Sequence, residues 1–274
     1  MLYIKEPLLK KWLFFCEYYL YFENLIYRYY LYNYSNFVSF ISFMKYILTI
    51  LILFVSLCLK AQDCTYSFPF IKGSGMEMLQ YNKNNKVIGK VFYTIDSVYE
   101  IRTIKYAIIS SRTYNLKNKE LSNYSYTINC CKSNLTISSL SLFDPSEFDS
   151  YEEYDTTIYE ASYNITSNMN VDTLLSDASF NFTAFQLQNS VFEFKMDCRK
   201  RKVVSKEIIS TAIGDFECFK IESNIIIVGK SLINKYTIKS KIEDYYTKGI
   251  GLIKRNLYDD NDKLINVYLL NKVY

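Results

Sequence analysis

The chain has 274 residues, with 32 Lys and Arg against 28 Asp and Glu, and it contains no His. The absence of His excludes Ser-His-Asp and Cys-His nucleophile systems, His-ligated metal sites and the usual imidazole general base. Six of the basic and three of the acidic residues precede residue 62, so 26 basic and 25 acidic side chains remain after it. This balance removes the main driving force for nucleic-acid binding, and we expect no nucleic acid as a partner.

The first 43 residues contain no Gly and crowd Tyr and Phe together, as in EYYLYFENLIYRYYLYNY. Their apolar residues follow neither a helical nor a strand period for long, which is not the pattern of a packed domain. We therefore interpret residues 1–43 as a non-native or mis-called N-terminal extension, with the true initiator at Met44. The alternative is a genuine amphiphilic or membrane-associated extension.

The next stretch, MKYILTILILFVSLCLKAQDC, has the pattern of a secretory signal peptide. Lys45 provides the positive charge, residues 47–57 form the apolar core, and Ala61 is the small residue that a signal peptidase requires. The sequence predicts a signal peptide over residues 44–61, cleaved between Ala61 and Gln62.

Two alternatives to simple cleavage are a retained membrane anchor and a lipid attached to Cys58. The apolar run is shorter than the about 20 residues that span a bilayer, so we expect no integral membrane anchor after cleavage. Leu57 stands before Cys58, where a lipoprotein signal carries a small residue, and this disfavours lipid attachment.

Beyond residue 62, segments rich in Val, Ile, Thr, Tyr and Phe alternate with short polar turns, which predicts strands. The predicted strands cover 86–98, 103–114, 123–131, 134–142, 178–188, 190–198, 202–211, 216–228, 232–242, 251–258 and 263–273. Because the turns between them are too short for crossover helices, the pattern favours an antiparallel meander.

One helix signal interrupts the strands, in DPSEFDSYEEY (144–154). Asp144 is a suitable N-cap, Pro145 suits the first turn, and Glu147 lies three residues after the cap. The predicted fold of the single domain 62–274 is therefore mainly β: a single curved antiparallel sheet or half-barrel with one short helix.

Two similar segments, YNKNNKVI (81–88) and YDDNDKLI (258–265), place Asn or Asp between strand-like residues. Asn and Asp tolerate the left-handed conformation that tight hairpins require. Both segments are therefore predicted to be hairpin turns.

No pattern in the chain indicates catalysis. The acidic residues are scattered through polar turns, and no glycine-rich loop precedes a helix pattern. No Cys-x-x-Cys pair offers a metal site. We expect no catalytic residues, no metal and no cofactor.

Five cysteines lie after residue 61, namely Cys64, Cys130, Cys131, Cys198 and Cys218. Export permits disulfides, and the favoured pair is Cys198 with Cys218, because both lie in strand-like segments that are candidates for neighbours in one sheet. The second possibility joins Cys64 to Cys130 or Cys131, only one of which can face a given partner. The third is that these are buried reduced thiols.

Four segments resemble, in order, the TapB-like exported proteins of Bacteroidetes, the domain-of-unknown-function-3108 group. They are QDCTYSFPFIKGSGMEMLQYNKNNKVIGK, SNMNVDTLLSDASF, KVVSKEIISTAIGDFECFKIES and DYYTKGIGLIKRNLYDDNDKLINVYLLNKV. The most specific elements are GDFECFKI and KGIGLIK. The resemblance covers nearly all of residues 62–274 and implies an exported β-rich domain whose strands curve around a hydrophobic face.

A curved sheet must either fill its concave side with its own side chains or offer it to a ligand. We therefore expect an uncharacterised, non-catalytic protein that binds or carries an apolar or amphiphilic envelope ligand, such as a lipid. The alternative is a structural or protein-interaction component of the envelope without a ligand cavity, and a hydrolase using carboxylates is a third hypothesis. The expected location is periplasmic, outer-envelope associated or secreted.

Overall fold

The structure is a computed structural model that describes residues 44–45, 47–48, 69–131, 134–143, 148, 153–166, 169–187 and 189–274. The chain divides into two compact units, residues 1–61 and residues 62–274. The described residues of the first unit are helical. In the described part of the chain, no helix is long and apolar enough to cross a membrane. The extension 1–43 and most of the predicted signal peptide lie outside the described residues, so both remain predictions.

The second unit is built from strands rich in β-branched and aromatic residues. The strands within its described residues are β1 (Gly75–Asn82), β2 (Val87–Ile101), β3 (Ile104–Asn115), β4 (Glu120–Cys131), β5 (Asn134–Ile137), β6 (Asp155–Ala161), β7 (Tyr163–Thr166), β8 (Ala178–Gln186), β9 (Asn189–Thr211), β10 (Gly214–Ser231), β11 (Lys235–Thr247), β12 (Gly251–Tyr258) and β13 (Leu264–Val273). They form one antiparallel sheet in the order β6-β8-β9-β10-β11-β12-β13-β1-β2-β3-β4-β5-β7.

The two edges of this sheet are consecutive in the chain. β6 and β7 are separated only by Ser162, so residues 155–166 form one extended segment. The first half of this segment pairs with β8 and the second half pairs with β5. The sheet therefore curves back on itself until its edges meet along a single segment.

One side of the interior is filled by phenylalanines. Alternate residues of β8 and β9 point inward, which buries Phe180, Phe182, Phe192 and Phe194. Phe148 enters among them and stacks on Phe182, with ring centroids 4.3 Å apart. These rings form part of the main core.

A short 3-10 helix (Ser139–Leu142) reinforces the seam where the edges meet. The Ser138 amide donates to the carbonyl of Thr127 on β4 at 3.0 Å. The Ser139 amide donates to Oε1 of Glu160 on β6 at 2.6 Å. The Ser139 hydroxyl donates to the carbonyl of Ser179 on β8 at 3.1 Å. The helix therefore links strands from both sides of the seam.

The predicted fold class is confirmed, with corrections in detail. The predicted strand 134–142 ends at Ile137, because Ser138 caps the 3-10 helix with its side chain. The predicted strands 190–198 and 202–211 are one strand, β9, in which Lys200 adopts a left-handed φ of 56°. β1, β6 and β7 were not predicted as strands. The helix prediction at Asp144, Pro145 and Glu147 falls outside the described residues.

Candidate functional site

The other side of the interior is not filled. A cavity of about 310 Å³, which we call the chamber, lies between the 3-10 helix and the inner faces of β1–β4 and β11–β13. Its apolar lining consists of Met78, Val91, Leu121, Leu142, Phe143, Ile242, Leu252 and Leu257. Its polar lining consists of Gln80, Tyr93, Ser111, Thr113, Tyr124, Ser141, Arg255 and Tyr268. This volume is at the lower end of the range for small-molecule sites.

The chamber opens at one end of the sheet, which we call the turn end. This end carries the turns after β1, β3 and β12, because the strand registers bring them to the same level. Leu121, the second residue of β4, lines the chamber and is 56% exposed. Ser111 and Met78 lie deeper and are buried. A ligand would therefore enter beside Leu121.

The floor of the chamber carries an ion pair between Arg255 and Asp244, which face each other on β12 and β11. The Arg255 Nε donates to Oδ1 of Asp244 at 2.6 Å, and Nη2 donates to Oδ2 at 2.9 Å. The third nitrogen, Nη1, donates to the carbonyl of Ser141 in the 3-10 helix at 3.1 Å. This bidentate pair is geometrically strong and leaves the floor without net charge.

Tyrosines surround this ion pair. Burial raises the pKa of the Tyr93, Tyr163 and Tyr246 phenols. They therefore stay protonated and act as neutral hydrogen-bonding groups. The Tyr163 hydroxyl lies 2.8 Å from the Ser141 hydroxyl. Both line a smaller cavity of about 40 Å³ on the far side of Arg255.

The wall of the chamber carries a hydroxyl without a partner. Ser111 Oγ is buried and makes no hydrogen bond with any part of the chain that the structure describes, and the same is true of Ser122 Oγ on the next strand. Leaving a buried polar group unsatisfied costs about 1–3 kcal/mol. Because Ser111 lines the chamber, a ligand group or water inside it would satisfy this hydroxyl.

A second polar cluster surrounds Glu243 on the outer face, opposite to Asp244. Lys220 Nζ lies 2.9 Å from the Glu243 carboxylate, the Tyr258 hydroxyl donates to it at 2.8 Å, and the Asn256 amide donates at 3.1 Å. Although burial opposes the shift, these hydrogen bonds lower the pKa of Glu243 to about 2. Glu243 is therefore held ionised and is not poised to donate a proton.

Groups of three or more His, Cys, Asp or Glu side chains with metal-binding geometry do not occur among the described residues. Acidic side chains inside the fold are instead engaged in pairs, as Asp244 is with Arg255.

The favoured disulfide between Cys198 and Cys218 is wrong. Both cysteines are free thiols, although they lie on the neighbouring strands β9 and β10. The register places Cys198 opposite Ile225 and Cys218 opposite Glu207, which separates the two by about seven residues, or about 23 Å, along the sheet. A disulfide requires Cα atoms within about 7 Å. Burial raises the pKa of both thiols to about 11, so they are unreactive.

The second possibility, a disulfide from Cys64 to Cys130 or Cys131, stays a prediction, because Cys64 lies outside the described residues. Cys130 is buried and disulfide-bonded. Cys131 is a free thiol. Cys64, Ala61 and Gln62 also lie outside the described residues, so the cleavage site stays a prediction.

Sequence reasoning did not identify the chamber residues. Arg255 and Asp244 are 11 positions apart in a segment with many other charges, and only the β11–β12 register brings them together. Ser111 belongs to a strand in which Ser110, on the opposite face, instead bonds Asp96. One sequence signal for the chamber was available. In the segment SSRT (110–113), the alternation of a strand places Ser111 and Thr113 on the same face.

Comparison with known proteins places this fold in a family. The profile described as DUF3108-like matches residues 71–270. No curated protein matches the chain. A candidate lipoprotein from Parabacteroides distasonis has a similar structure, with a TM-score of 0.63 at 21% identity, over 78% of this chain and 100% of that one.

A candidate exported protein with a YmcC-like fold from Bacteroides fragilis is similar as well. Its TM-score is 0.59 at 17% identity, over 76% of this chain and 99% of that one. At these identities the two structures show a shared fold. Because the family profile spans most of the chain and the fold agrees, the protein belongs to the DUF3108-like family.

Proposed function

We propose that this protein is an exported, non-catalytic binding protein that holds a small, uncharged amphiphilic molecule in the chamber. The observation that carries the proposal is the combination of an apolar wall with an unpartnered buried hydroxyl, Ser111, inside one cavity. Such a combination of apolar lining and few polar groups is typical of small-molecule sites.

The charge of the chamber supports an uncharged ligand. Among the described residues that line the chamber, Arg255 is the one with a formal charge, and Asp244 already neutralises it. A ligand carboxylate or ammonium would lose its hydration without gaining a counter-charge, which is costly. A neutral hydroxyl or carbonyl group can instead bond Ser111 while an apolar body contacts the wall.

Export is supported by the relatives and by the signal-peptide pattern. One structural neighbour is a candidate lipoprotein and the other a candidate exported protein. A binding role is favoured over catalysis by the engagement of two acids near the chamber: Asp244 bonds Arg255, and Glu243 is held ionised on the outer face.

The test is native mass spectrometry of the protein purified gently from the envelope of its own host, before and after incubation with host lipid extract. The blocking variant is Thr113→Trp, which places an indole in the chamber near its mouth. The matched control is Arg112→Trp, because the neighbouring residue points to the outer face. We expect a stoichiometric adduct in wild type and in Arg112→Trp and its loss in Thr113→Trp, with all three unfolding in the same denaturant range.

Affinity gives a finer readout. Ser111→Ala should weaken binding of the adduct molecule by about fivefold, the equivalent of one hydrogen bond of about 1 kcal/mol. An adduct that persists in Thr113→Trp, or a bare protein mass after incubation with lipid extract, would contradict the proposal. A bare mass would favour a structural or protein-interaction role in the envelope.

A further inference from the structure

Two neighbouring hairpins end in exposed aliphatic residues. The β10–β11 turn carries Leu232 and Ile233, which are 76% and 88% exposed. The β8–β9 turn carries Leu187, which is 90% exposed and adopts a left-handed φ of 49°. We call Leu187, Leu232 and Ile233 the tip residues.

The tip residues lie side by side at the turn end. β9 pairs with both β8 and β10, and its Phe192 is opposite Ala184 on one side and Ser231 on the other. The two turns therefore start within a few residues of the same level. They are separated by two strand spacings, roughly 10 Å. β11 begins at this end as well. Its Lys241 is opposite Tyr258, the last residue of β12, and the strand starts further toward the turn end, at Lys235.

Two other hairpins at the same end are polar. The turns after β1 and β12 expose Asn84 and Asn261. Each turn begins with a side chain, Asn82 or Asp259, that accepts hydrogen bonds from two backbone amides. Turns usually select such residues. The aliphatic tips thus depart from the chemistry of these two turns, whereas the turn after β3 exposes a single leucine, Leu116.

Lysines flank the tips. Lys230 and Lys235 are opposite each other directly behind Leu232 and Ile233, and Lys239 follows four residues along β11. Lys230 lies 3.4 Å from Glu193, whereas Lys235 and Lys239 form no ion pair within the described residues. Asp155 is opposite Phe185, two residues before Leu187. Around the β10–β11 tip, therefore, two cations are unneutralised.

We infer that the tip residues insert into the headgroup region of an anionic lipid surface, with Lys235 and Lys239 contacting its phosphates. Protruding aliphatic side chains backed by lysines match the interfacial region, where apolar groups bury about 5–10 Å deep and basic groups bind anionic lipid. A protein partner is disfavoured, because protein interfaces centre on aromatic and Arg side chains in packed pockets.

This orientation would also face the mouth of the chamber toward the lipid surface, since both lie at the turn end. Docking does not depend on the chamber being a ligand site. The two proposals therefore fail separately: wild-type protein that carries the adduct but does not bind vesicles rejects the docking, and wild-type protein that binds vesicles but carries no adduct rejects the chamber ligand.

The test is flotation of the exported protein, in the form that accumulates in an expressing bacterium, with vesicles of phosphatidylcholine alone or mixed with phosphatidylglycerol. The tip variant is Leu232→Ser with Ile233→Ser. The matched control is Ile208→Ser with Ile213→Ser, exposed isoleucines at the opposite end of the sheet. All variants share the same N-terminal residues, so differences between them report the tips.

We expect the tip variant to lower partitioning by at least about tenfold, because two apolar side chains stay in water, and the control to partition like wild type. Lys235→Gln with Lys239→Gln should reduce binding to the anionic vesicles by about fivefold per lysine and leave binding to neutral vesicles unchanged. Equal partitioning of the tip variant and wild type would overturn the inference. So would self-association in the absence of vesicles that the tip variant abolishes, since that would assign the tips to a second copy of the chain.

Discussion

The pairing of Arg255 with Asp244 sets the character of the chamber at the scale of single residues. An Arg in an apolar interior is costly unless a carboxylate neutralises it. Asp244 does so through two hydrogen bonds, and the Ser141 carbonyl receives a third from Nη1. The pair also fixes the 3-10 helix to β12, so it couples the floor of the chamber to the seam.

Removing one partner should therefore be more damaging than removing both. Asp244→Asn leaves the Arg255 charge unpaired, and we expect the free energy of unfolding to fall by about 3–5 kcal/mol. The double variant Asp244→Leu with Arg255→Met should recover much of that loss, because no buried charge remains. Urea unfolding followed by circular dichroism measures both.

The exposed pair Lys206–Glu217 provides the control, with 2.7 Å between its charged atoms. Glu217→Gln should change the free energy of unfolding by less than about 1 kcal/mol, because solvent screens this pair. If Asp244→Asn lowered the free energy of unfolding by as little as Glu217→Gln, the Arg255–Asp244 pair would not have the structural role that its geometry indicates.

At the scale of elements, the segment 155–166 decides how the sheet closes. Within the described residues, its first half is an exposed strand that pairs with β8 alone, and its second half pairs with β5 alone. Across the seam, the Glu160 carboxylate accepts the Ser139 amide and holds the 3-10 helix in place. Phe143 follows that helix and lines the chamber. A loose seam would therefore also loosen one wall of the chamber.

Glu160→Ala should open the seam locally. We expect faster amide hydrogen exchange at Ser139 and its neighbours and a loss of about 1 kcal/mol in the free energy of unfolding, since one charged hydrogen bond is removed at a partly exposed site. Hydrogen exchange read by mass spectrometry locates the change. Asp155→Ala on the same strand is the control and should leave exchange in 138–143 as in wild type. Unchanged protection at Ser139 in Glu160→Ala would contradict the assigned role of the carboxylate.

At the scale of the whole molecule, the chain consists of two compact units that divide between Ala61 and Gln62. The second unit contains the whole sheet, the main core and the chamber. A protein that reached the envelope as residues 62–274 would therefore retain every structural element on which the proposed function depends.

The corresponding prediction concerns the mature terminus. Intact-mass analysis of the exported native protein should give a chain that begins at Gln62, because Ala61 completes the signal-peptidase pattern. Ala61→Leu should cause the precursor to accumulate, since a bulky residue blocks that pattern, and Gln62→Ser should be processed normally. A mature species containing residues 1–43 would reject the interpretation of that segment as a mis-called extension.

The strand pattern, the polar hairpin turns and the family resemblance could all be predicted from local sequence. The turns at 82–86 and 259–263 illustrate this. The side chains of Asn82 and Asp259 accept hydrogen bonds from the backbone amides two and four residues later, so neither turn needs a partner distant in sequence. The absence of His likewise excluded whole classes of catalysis without reference to a fold. Segments such as 155–166 were missed because their pairing comes from β5 and β8, which are not predictable from the segment itself.

By itself, then, the sequence determined the secondary structure of most of the chain, its family and the chemistry available to it, since these depend on residue type and on neighbours close along the chain. Only the tertiary structure decided which residues face each other. The strand registers kept Cys198 and Cys218 apart, joined Arg255 to Asp244, and left Ser111 unpartnered beside an unfilled space. A shift of one residue in register would turn each of these side chains to the opposite face of the sheet, and the register depends on the turns and on the hydrophobic faces of both paired strands, not on the neighbours of any one residue.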